Sequence, residues 1–312
     1  MSAGIRGITG FERTVADLAR TEAFYRDGLG FAQVGSIEPL PAAIADAYGS
    51  DGAVAARLTM RLGAQFVAFL AFDPPGAPYP DVPLANDPVF QHLAIPVRAM
   101  EAAHAQLLRL SPQSISHGGP QALPESSGGV TAYKFRDPDG HPLELIAFPG
   151  GPAAERWRTA PGLFLGIDHS AITVTNLDRA LGFYADLLGL RVAGRGLNAG
   201  ETQARLDGVP DPVVDVVGLE PPVCVTPHLE LLHYRRPDTK RPTPAPYGPR
   251  DPATTRLVFE ADDVTATTEA IRRAGYRVRL SADGRSAYAE GPDGHGLRVV
   301  GSAGGAGGAS DR

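Results

Sequence analysis

The fold is decided by residues 165–190, which read LGIDHSAITVTNLDRALGFYADLLGL. Apolar and polar side chains alternate over 167–175, which predicts a β-strand. Asn176 is a good N-cap, and apolar residues then recur at helical spacing up to Gly189, which suits a left-handed C-cap. One strand and one helix cannot bury both of their apolar faces by themselves. The unit therefore needs partners of similar construction.

Three further copies of this unit supply those partners. Residues 7–31 match it through Phe24-Tyr25 against Phe183-Tyr184, and a strand–turn–strand ending recurs as DPDGHPLELI at 137–146 and GPDGHGLRVV at 291–300. Each copy reads βαβββ, so we predict an α+β fold in which four modules pair into two cup-shaped half-barrels. The modules are expected at 5–72, 88–149, 165–235 and 254–301, with an N-terminal domain at 1–150, a linker at 151–164, a C-terminal domain at 165–301 and a disordered tail at 302–312.

Composition and charge narrow the class of protein. The 312 residues are 43% hydrophobic and 21% charged, with a net charge of -6, which argues against nucleic acid as the main partner. Cys224 is the single cysteine, so no internal disulfide can form and a reducing compartment is expected. Its apolar neighbours favour a buried strand position for it. From its residues we expect neither a signal peptide nor a membrane-spanning segment, and we expect a cytoplasmic monomer or homodimer without a membrane partner.

Two motifs resemble those of a known family. FYADLLGL at 183–190 and DPDGHPLEL at 137–145 are similar to motifs of the vicinal oxygen chelate superfamily. That superfamily includes glyoxalase I, methylmalonyl-CoA epimerase, extradiol ring-cleaving dioxygenases and fosfomycin- and bleomycin-resistance proteins. The resemblance covers residues 5 to 301 and implies the glyoxalase fold. It does not by itself choose among these activities.

The resemblance also implies where metal ligands would lie, namely on the first and last strands of each module. The first-strand positions are Gly10, His92, His169 and Arg256, and the last-strand positions are Ala68, Glu144, Glu230 and Arg298. Modules two and three thus keep a histidine and a glutamate each, and modules one and four keep neither. His92, Glu144, His169 and Glu230 form an N2O2 set that suits one divalent ion such as Fe, Zn, Ni, Co or Mn.

A structural reading competes with this one. A single histidine on a strand is more often a hydrogen-bonded structural residue than a ligand. A glutamate within an apolar strand is harder to explain without a partner, because burying an unpaired carboxylate is costly. Four such residues at matched repeat positions favour the metal.

The pairing of the modules decides whether these four residues can meet. If modules pair as one with two and three with four, the set splits into two half-sites. If modules two and three pair, all four residues share one cup, and this is the pairing that we prefer. Arg256 and Arg298 then lie in the other cup, where they either bind an anion or pair with acids such as Glu260 or Glu290.

Other polar residues receive smaller roles. His141 and His295 occupy the same turn position in two modules, which favours a structural role. His233 should face away from Glu230, whereas His228 should share its face as a cavity residue. The remaining charges are expected at the surface or in loops: Glu12, Arg13, Arg98, Lys134 and Arg136.

Three functions remain open. The first is a metal-dependent lyase or isomerase, similar to glyoxalase I or an epimerase, which holds a small substrate through adjacent oxygens while Glu144 or Glu230 moves a proton. The second is an Fe(II) extradiol-type dioxygenase that uses His92, His169 and Glu144, with Glu230 as a bystander. The third is a non-catalytic binding or resistance protein. No nucleotide cofactor is expected, because the Gly-rich stretches lack the strand–GxGxxG–helix context.

Overall fold

The structure is a computed structural model that describes residues 4–49, 52–77, 82–239, 247–252 and 254–302. Apart from Ser302, the predicted disordered tail lies outside these residues. No helix in the described ranges is long and apolar enough to cross a membrane.

Modules one and two each combine strands with helices in the predicted order. Module one contains β1 (Ile5–Thr14), α1 (Leu18–Leu29), β2 (Ala32–Pro39), α2 (Ala42–Ala47), β3 (Val54–Leu62) and β4 (Gln65–Asp73). Module two contains β5 (Gln91–Pro96), α3 (Met100–Leu108), β6 (Gln113–Ser114), β7 (Gln121–Ala122), a 3₁₀ turn (Glu125–Ser127), β8 (Thr131–Arg136) and β9 (Pro142–Ala147). The proposed linker, 151–164, holds the short helix α4 (Gly151–Glu155).

Modules three and four repeat this order. Module three contains β10 (His169–Thr173), α5 (Leu177–Leu181) with a π-helical continuation (Gly182–Leu187), β11 (Arg191–Ala199), α6 (Glu201–Asp207), β12 (Val213–Glu220) and β13 (His228–Arg236). Module four contains β14 (Thr255–Ala261), α7 (Val264–Arg273), β15 (Val278–Leu280), β16 (Ser286–Glu290) and β17 (Gly296–Gly301).

The helix that follows β10 begins and ends where its sequence predicts. The Asn176 side chain accepts a hydrogen bond from the Arg179 backbone N–H at 2.8 Å, and Gly189 adopts a positive φ of 86°. The helix departs from expectation in the middle, where the Leu188 N–H bonds the Phe183 carbonyl five residues earlier. This π-helical bonding adds a residue to the turn. Phe183 and Tyr184 are buried in the core at this point.

The strands form two sheets, and each sheet draws on both halves of the chain. One has eight strands in the order β15-β16-β17-β14-β1-β4-β3-β2, and the other has the order β11-β12-β13-β10-β5-β9-β8-β6 with β7 beside β8. Module one therefore pairs with module four through antiparallel β1 and β14, and module two pairs with module three through β5 and β10. The predicted α+β fold of four modules in two cups is confirmed, as is the preferred pairing.

Alternation along the strands separates the core from the cups. On β9 and β13, Leu143, Leu145 and Leu229 join one large hydrophobic core, whereas the intervening Glu144 and Glu230 face the other side. The long helices α1, α3 and α7 pack on that core side of the sheets. The cup faces are thus left free for polar groups.

The two DPDG-type turns tie neighbouring modules together. His141 Nε2 lies 2.8 Å from the Thr14 carbonyl at the end of β1, and His295 Nε2 lies 2.9 Å from the Thr173 carbonyl at the end of β10. His141 Nδ1 also lies 3.2 Å from the Thr255 hydroxyl. The structural role predicted for both turn histidines is confirmed.

Several residues lie elsewhere than their sequence context suggested. Cys224 is exposed in the loop between β12 and β13, not buried in a strand, and its thiol contacts the Thr226 carbonyl. Arg98 is exposed as predicted. The other four residues expected at the surface or in loops are buried, namely Glu12, Arg13, Lys134 and Arg136. Each has hydrogen-bond or ion-pair partners inside the fold.

Candidate metal centre

The four predicted ligands lie on four adjacent strands at the centre of the nine-stranded sheet. In strand order these are Glu230 on β13, His169 on β10, His92 on β5 and Glu144 on β9. The register pairs Ala171 with both His92 and Glu230. Residues opposite one another in neighbouring strands share a face. His169 is two residues from Ala171 and so faces the same cup.

The donor atoms of these residues are close together. Glu144 Oε2 is 2.8 Å from His92 Nε2 and 3.9 Å from His169 Nε2. Glu230 Oε2 is 3.5 Å from His169 Nε2. Donors bound at 2.0–2.2 Å to one ion lie about 3.0 Å apart on an octahedron and about 3.4 Å apart on a tetrahedron. The observed separations bracket those values.

The unmet bonding needs of His92 fit a metal. Its side chain is 2% exposed, and its Nδ1 atom has no hydrogen-bond partner among the described residues, while its Nε2 atom lies 2.8 Å from Glu144 Oε2 but outside hydrogen-bond geometry. A buried polar atom without a partner costs about 1–3 kcal/mol. A cation held between His92, Glu144 and His169, whose donor atoms all lie within 4.8 Å of one another, would satisfy the Nε2 atom.

Electrostatics in the cup also favour a cation. Burial raises the pKa values of Glu144 and Glu230, but the neighbouring His92 and His169 respectively outweigh it, and both pKa values end below normal. Burial lowers the pKa of His92, which favours its neutral form. Burial also lowers the pKa of His169, but Glu230, Asp168 and Glu144 raise it to about 9. Two ionised carboxylates therefore lie beside a neutral His92 and a protonated His169, whose proton a bound cation would replace, in a site largely closed to water.

A second carboxylate–histidine contact orients His169. Asp168 Oδ2 lies 3.0 Å from His169 Nδ1, which leaves Nε2 directed at the glutamates. The other Asp168 oxygen, Oδ1, accepts a hydrogen bond from the Trp157 indole N–H at 3.1 Å. It also lies 3.6 Å from Arg156 Nη1. Partners of this kind fix the tautomer and direction of metal-binding histidines. Neither Asp168 nor Trp157 was predicted for the site.

The two remaining histidines of β13 lie where strand alternation puts them. His228 is in the cup, with Nε2 3.6 Å from Glu230 Oε1 and Nδ1 3.8 Å from Asp168 Oδ2. His233 lies on the other face, with Nδ1 3.2 Å from Asp215 Oδ2. Both predicted positions are confirmed.

The four residues line a cavity of about 420 Å³. Such a volume is within the range of small-molecule sites. Other polar residues also line it, namely Lys134, Gln203, Tyr234, Arg156 and Arg195. The cavity can therefore admit a small polar compound that reaches the candidate metal position.

The other cup contains an ion-pair cluster at the matching position. Arg256 Nε lies 3.2 Å and Arg298 Nη1 2.5 Å from the Glu12 carboxylate, to which the Tyr48 hydroxyl also donates. Burial raises the pKa of Glu12, but the two arginines lower it by more than burial raises it, so the carboxylate stays ionised. The expected pairing of the two arginines with an acid is confirmed, but the acid is Glu12, the cross-strand neighbour of Arg256, and not Glu260 or Glu290.

Register shows how this cluster replaces a metal site. Glu12 pairs with Arg256 as Ala94 pairs with His169 in the other sheet. Glu12 thus occupies the place of a small alanine and fills the space between the two arginines. Among the described residues, no group suited to a metal lies in this cup.

Comparisons with known proteins agree with the fold. Residues 7–145 and 166–299 match the family model of the glyoxalase/bleomycin resistance protein/dioxygenase superfamily. Glyoxalase I from Zea mays superposes with a TM-score of 0.62 at 16% identity, covering 95% of this chain and 92% of that one. A Bacillus subtilis protein whose name suggests a dioxygenase gives a TM-score of 0.57 at 14% identity, covering 96% and 86%.

Comparison with curated protein sequences gives no match. Structural neighbours at such low identity share the fold with this chain, and they do not fix its reaction. The family match, in contrast, covers most of both halves. The chain therefore belongs to the glyoxalase/bleomycin resistance protein/dioxygenase superfamily.

Proposed function

We propose that this protein is a metal-dependent lyase or isomerase of the glyoxalase I or epimerase type. The observation that carries the proposal is the convergence of His92, Glu144, His169 and Glu230 from four adjacent strands on one cavity. The donor set suits one divalent first-row ion, with room left for the substrate. When bound, such an ion is a Lewis acid that polarises a carbonyl oxygen and makes the neighbouring C–H more acidic. The substrate would be a small molecule with two adjacent oxygens.

The two glutamates differ in a way that assigns their roles. Glu144 is 7% exposed and belongs to the tight group with both histidines, whereas Glu230 is 24% exposed and lies beside that group. Glu230 is therefore the better general base, because it is the carboxylate that faces an incoming substrate. Burial raises its pKa, but the neighbouring histidines, chiefly His169, lower it by more, so Glu230 is ionised at neutral pH, which is the form that a base requires, although the same shift weakens it as a base.

The proton would move within the cavity. Glu230 takes the proton from the carbon next to the carbonyl, the electron pair shifts onto the carbonyl oxygen, and Glu230 returns the proton to a neighbouring position. His228, 3.6 Å from the other oxygen of Glu230, orients that carboxylate. Asp168 holds the ring of His169.

Metal analysis of the purified protein tests whether these residues bind one metal ion. We expect one equivalent of metal in the wild type and loss of it in His92→Ala, His169→Ala and Glu144→Ala. His233→Ala is the matched control, because it removes a histidine from the opposite face of the same sheet and should retain the metal. A wild type without metal after reconstitution would reject the shared site and favour a non-catalytic binding protein.

Deuterium exchange tests the proposed proton transfer by Glu230. A panel of α-hydroxycarbonyl compounds and 2-oxo acids would be incubated in D2O with the metal-loaded protein, and exchange next to the carbonyl followed by NMR. We expect exchange with the wild type and a loss of about 100-fold or more in Glu230→Gln. If deuterium incorporation survives in Glu230→Gln but is abolished in Glu144→Gln, Glu144 and not Glu230 is the base.

One observation favours a second function. The tight group His92, Glu144 and His169 is a two-histidine, one-carboxylate set, as found in Fe(II) oxygenases. Under this alternative, Glu230→Gln would retain iron and oxygen uptake with catechols. In an extradiol reaction one O2 is consumed per catechol and both oxygen atoms enter the ring-opened product. An oxygen electrode with the iron-loaded protein distinguishes the two functions.

A further inference from the structure

Lys134 is a buried cation in the same cavity, and the mechanism above does not use it. Its side chain is 5% exposed, and it lies on β8 directly opposite Glu144 on β9. Cross-strand neighbours share a face of the sheet, so Lys134 belongs to the face that carries the candidate ligands. It is one of the residues that line the cavity.

A network of hydrogen bonds holds Lys134 in place. Its Nζ lies 2.7 Å from Asp207 Oδ1 at the end of α6. The other Asp207 oxygen accepts from the Tyr234 hydroxyl and from Gln203 Nε2, each at 2.8 Å. Asp207 is fully buried. The ammonium is therefore fixed before any ligand arrives, which lowers the entropy lost when it binds one.

The ammonium group of Lys134 has N–H donors that are not used by Asp207. An ammonium carries three N–H groups, and Asp207 is its one hydrogen-bonded acceptor among the described residues. Burial lowers the pKa of Lys134, but Asp207 and Glu144 raise it beyond its normal value, so the group stays charged. A buried charged donor with free N–H groups at a cavity wall is suited to an anionic oxygen.

The balance of charge agrees with an anionic ligand. Glu144, Glu230 and Asp207 contribute three negative charges, and Lys134 with a divalent ion contributes three positive ones. The metal-loaded cavity is therefore neutral in these groups. An incoming anion meets no excess of negative charge, and it finds two cationic centres in a site of low dielectric constant.

We infer that Lys134 binds a negatively charged oxygen of the substrate, and that the substrate class is small 2-oxo or 2-hydroxy acids. This inference rests on the proposed function for the metal that holds the adjacent oxygens. Lys134 supplies the contact that selects an acid over the corresponding neutral compound. Arg156 and Arg195 also line the cavity, but Arg195 is exposed and Arg156 faces Asp168. Neither combines burial with free donors as Lys134 does.

Calorimetric titration with lactate and lactamide tests this inference. Both probes offer adjacent oxygens, and only lactate is an anion. We expect Lys134→Met to weaken lactate binding to the metal-loaded protein by about tenfold or more. Lactamide binding and metal affinity should each change by less than about threefold. Lys134→Arg should restore most of the lactate affinity.

The controls separate the alternatives. Arg205→Met removes a positive charge from the same helix as Asp207, but Arg205 is exposed and paired with Glu201, so lactate binding should not change. Because Lys134→Met leaves Asp207 buried without its cation, Lys134→Met/Asp207→Asn provides a variant in which both charges are removed. Its melting temperature and metal content show whether the fold is retained.

Each result bears on one claim. Equal loss of lactate and lactamide, or no loss of either, in a folded and metal-loaded Lys134 variant would reject the inference. Failure of the wild type to bind lactate at tens of millimolar would reject the substrate class. If the wild type holds no metal, the proposed function fails, and titration of the metal-free wild type and Lys134→Met with lactate still tests the role of Lys134.

Discussion

Removal of the Asp168 carboxylate should weaken metal binding without removing any metal ligand. Asp168 Oδ2 is 3.0 Å from His169 Nδ1, and Asp168 is 3% exposed, so this is a charge-assisted contact in a nearly dry site. In Asp168→Ala the imidazole of His169 loses the partner that fixes its tautomer and direction. Loss of such a partner costs about 10–100-fold in metal affinity, or about 1.4–2.7 kcal/mol. We expect a loss in this range.

Removal of the hydrogen bond from Trp157 to Asp168 should cause a smaller loss of metal affinity than removal of the carboxylate. Trp157→Phe removes the 3.1 Å bond to Asp168 but leaves the carboxylate in place, so the loss of metal affinity should be only a few-fold. The chain also offers a matched control. Asp215 contacts His233 at 3.2 Å on the opposite face of the same sheet, and Asp215→Ala should leave the metal affinity unchanged.

Competition for zinc or cobalt between the protein and a chromophoric chelator measures these affinities. Melting temperatures recorded without metal show whether each variant folds. An Asp168→Ala protein that binds metal as tightly as the wild type would refute the reasoning. Equal losses in Asp168→Ala and Asp215→Ala would also refute it, because a general loss of stability would then explain both.

Three further outcomes are expected. Glu12→Gln leaves two buried arginines without their carboxylate and should lower the free energy of unfolding by about 3–5 kcal/mol in urea denaturation, without changing metal affinity in the other cup. The pKa values of His141, about 3, and of His295 are lowered mainly by burial, so below pH 6.5 the unfolded chain binds protons that the folded chain cannot. The contribution of these two histidines to stability should therefore be complete above pH 6.5 and fall by about 1.4 kcal/mol per pH unit for each histidine as the pH drops towards 5, and His141→Gln/His295→Gln should flatten this slope in denaturation curves. Metal at 100 times its Kd should raise the free energy of unfolding of the wild type by about 2.7 kcal/mol in calorimetry, an increase that EDTA reverses and that is absent in His169→Ala.

The repeated pattern made the fold predictable from the sequence. The matched positions of His92 and His169 favoured the pairing of modules two and three, and the sheets have that pairing. Strand alternation also placed His228 in the cup and His233 outside it. These predictions depend on local period and on internal repetition, which are both properties of the chain alone.

The supporting residues of the site were harder to predict. Strand alternation puts Asp168 on the opposite face from His169, but β10 begins only at His169, so the backbone before it is free to turn the carboxylate towards the ring. The position of Lys134 did have a signal. Residues 134 and 144 are equally distant from Asp139, in the middle of the turn, so a regular hairpin places them opposite one another.

The role of Glu12 had no comparable signal. It depends on β1 lying beside β14, whose residues are far away in the sequence. The bulges in that pairing also change the register along the strands. A charge that looks exposed in the sequence was therefore buried by a long-range contact. The same holds for Arg13, which bonds the Tyr25 hydroxyl and the Pro142 carbonyl inside the fold.

Because each cup takes one module from each half of the chain, the two cups can carry different residues. A symmetric dimer of identical two-module subunits would carry the same residues in both of its cups, and a substitution in one would appear in the other. Joining the halves in one polypeptide removes that constraint. One cup has two histidines and two glutamates, while the other has a carboxylate between two arginines. One cup can therefore serve as internal scaffolding while the other presents the candidate metal ligands.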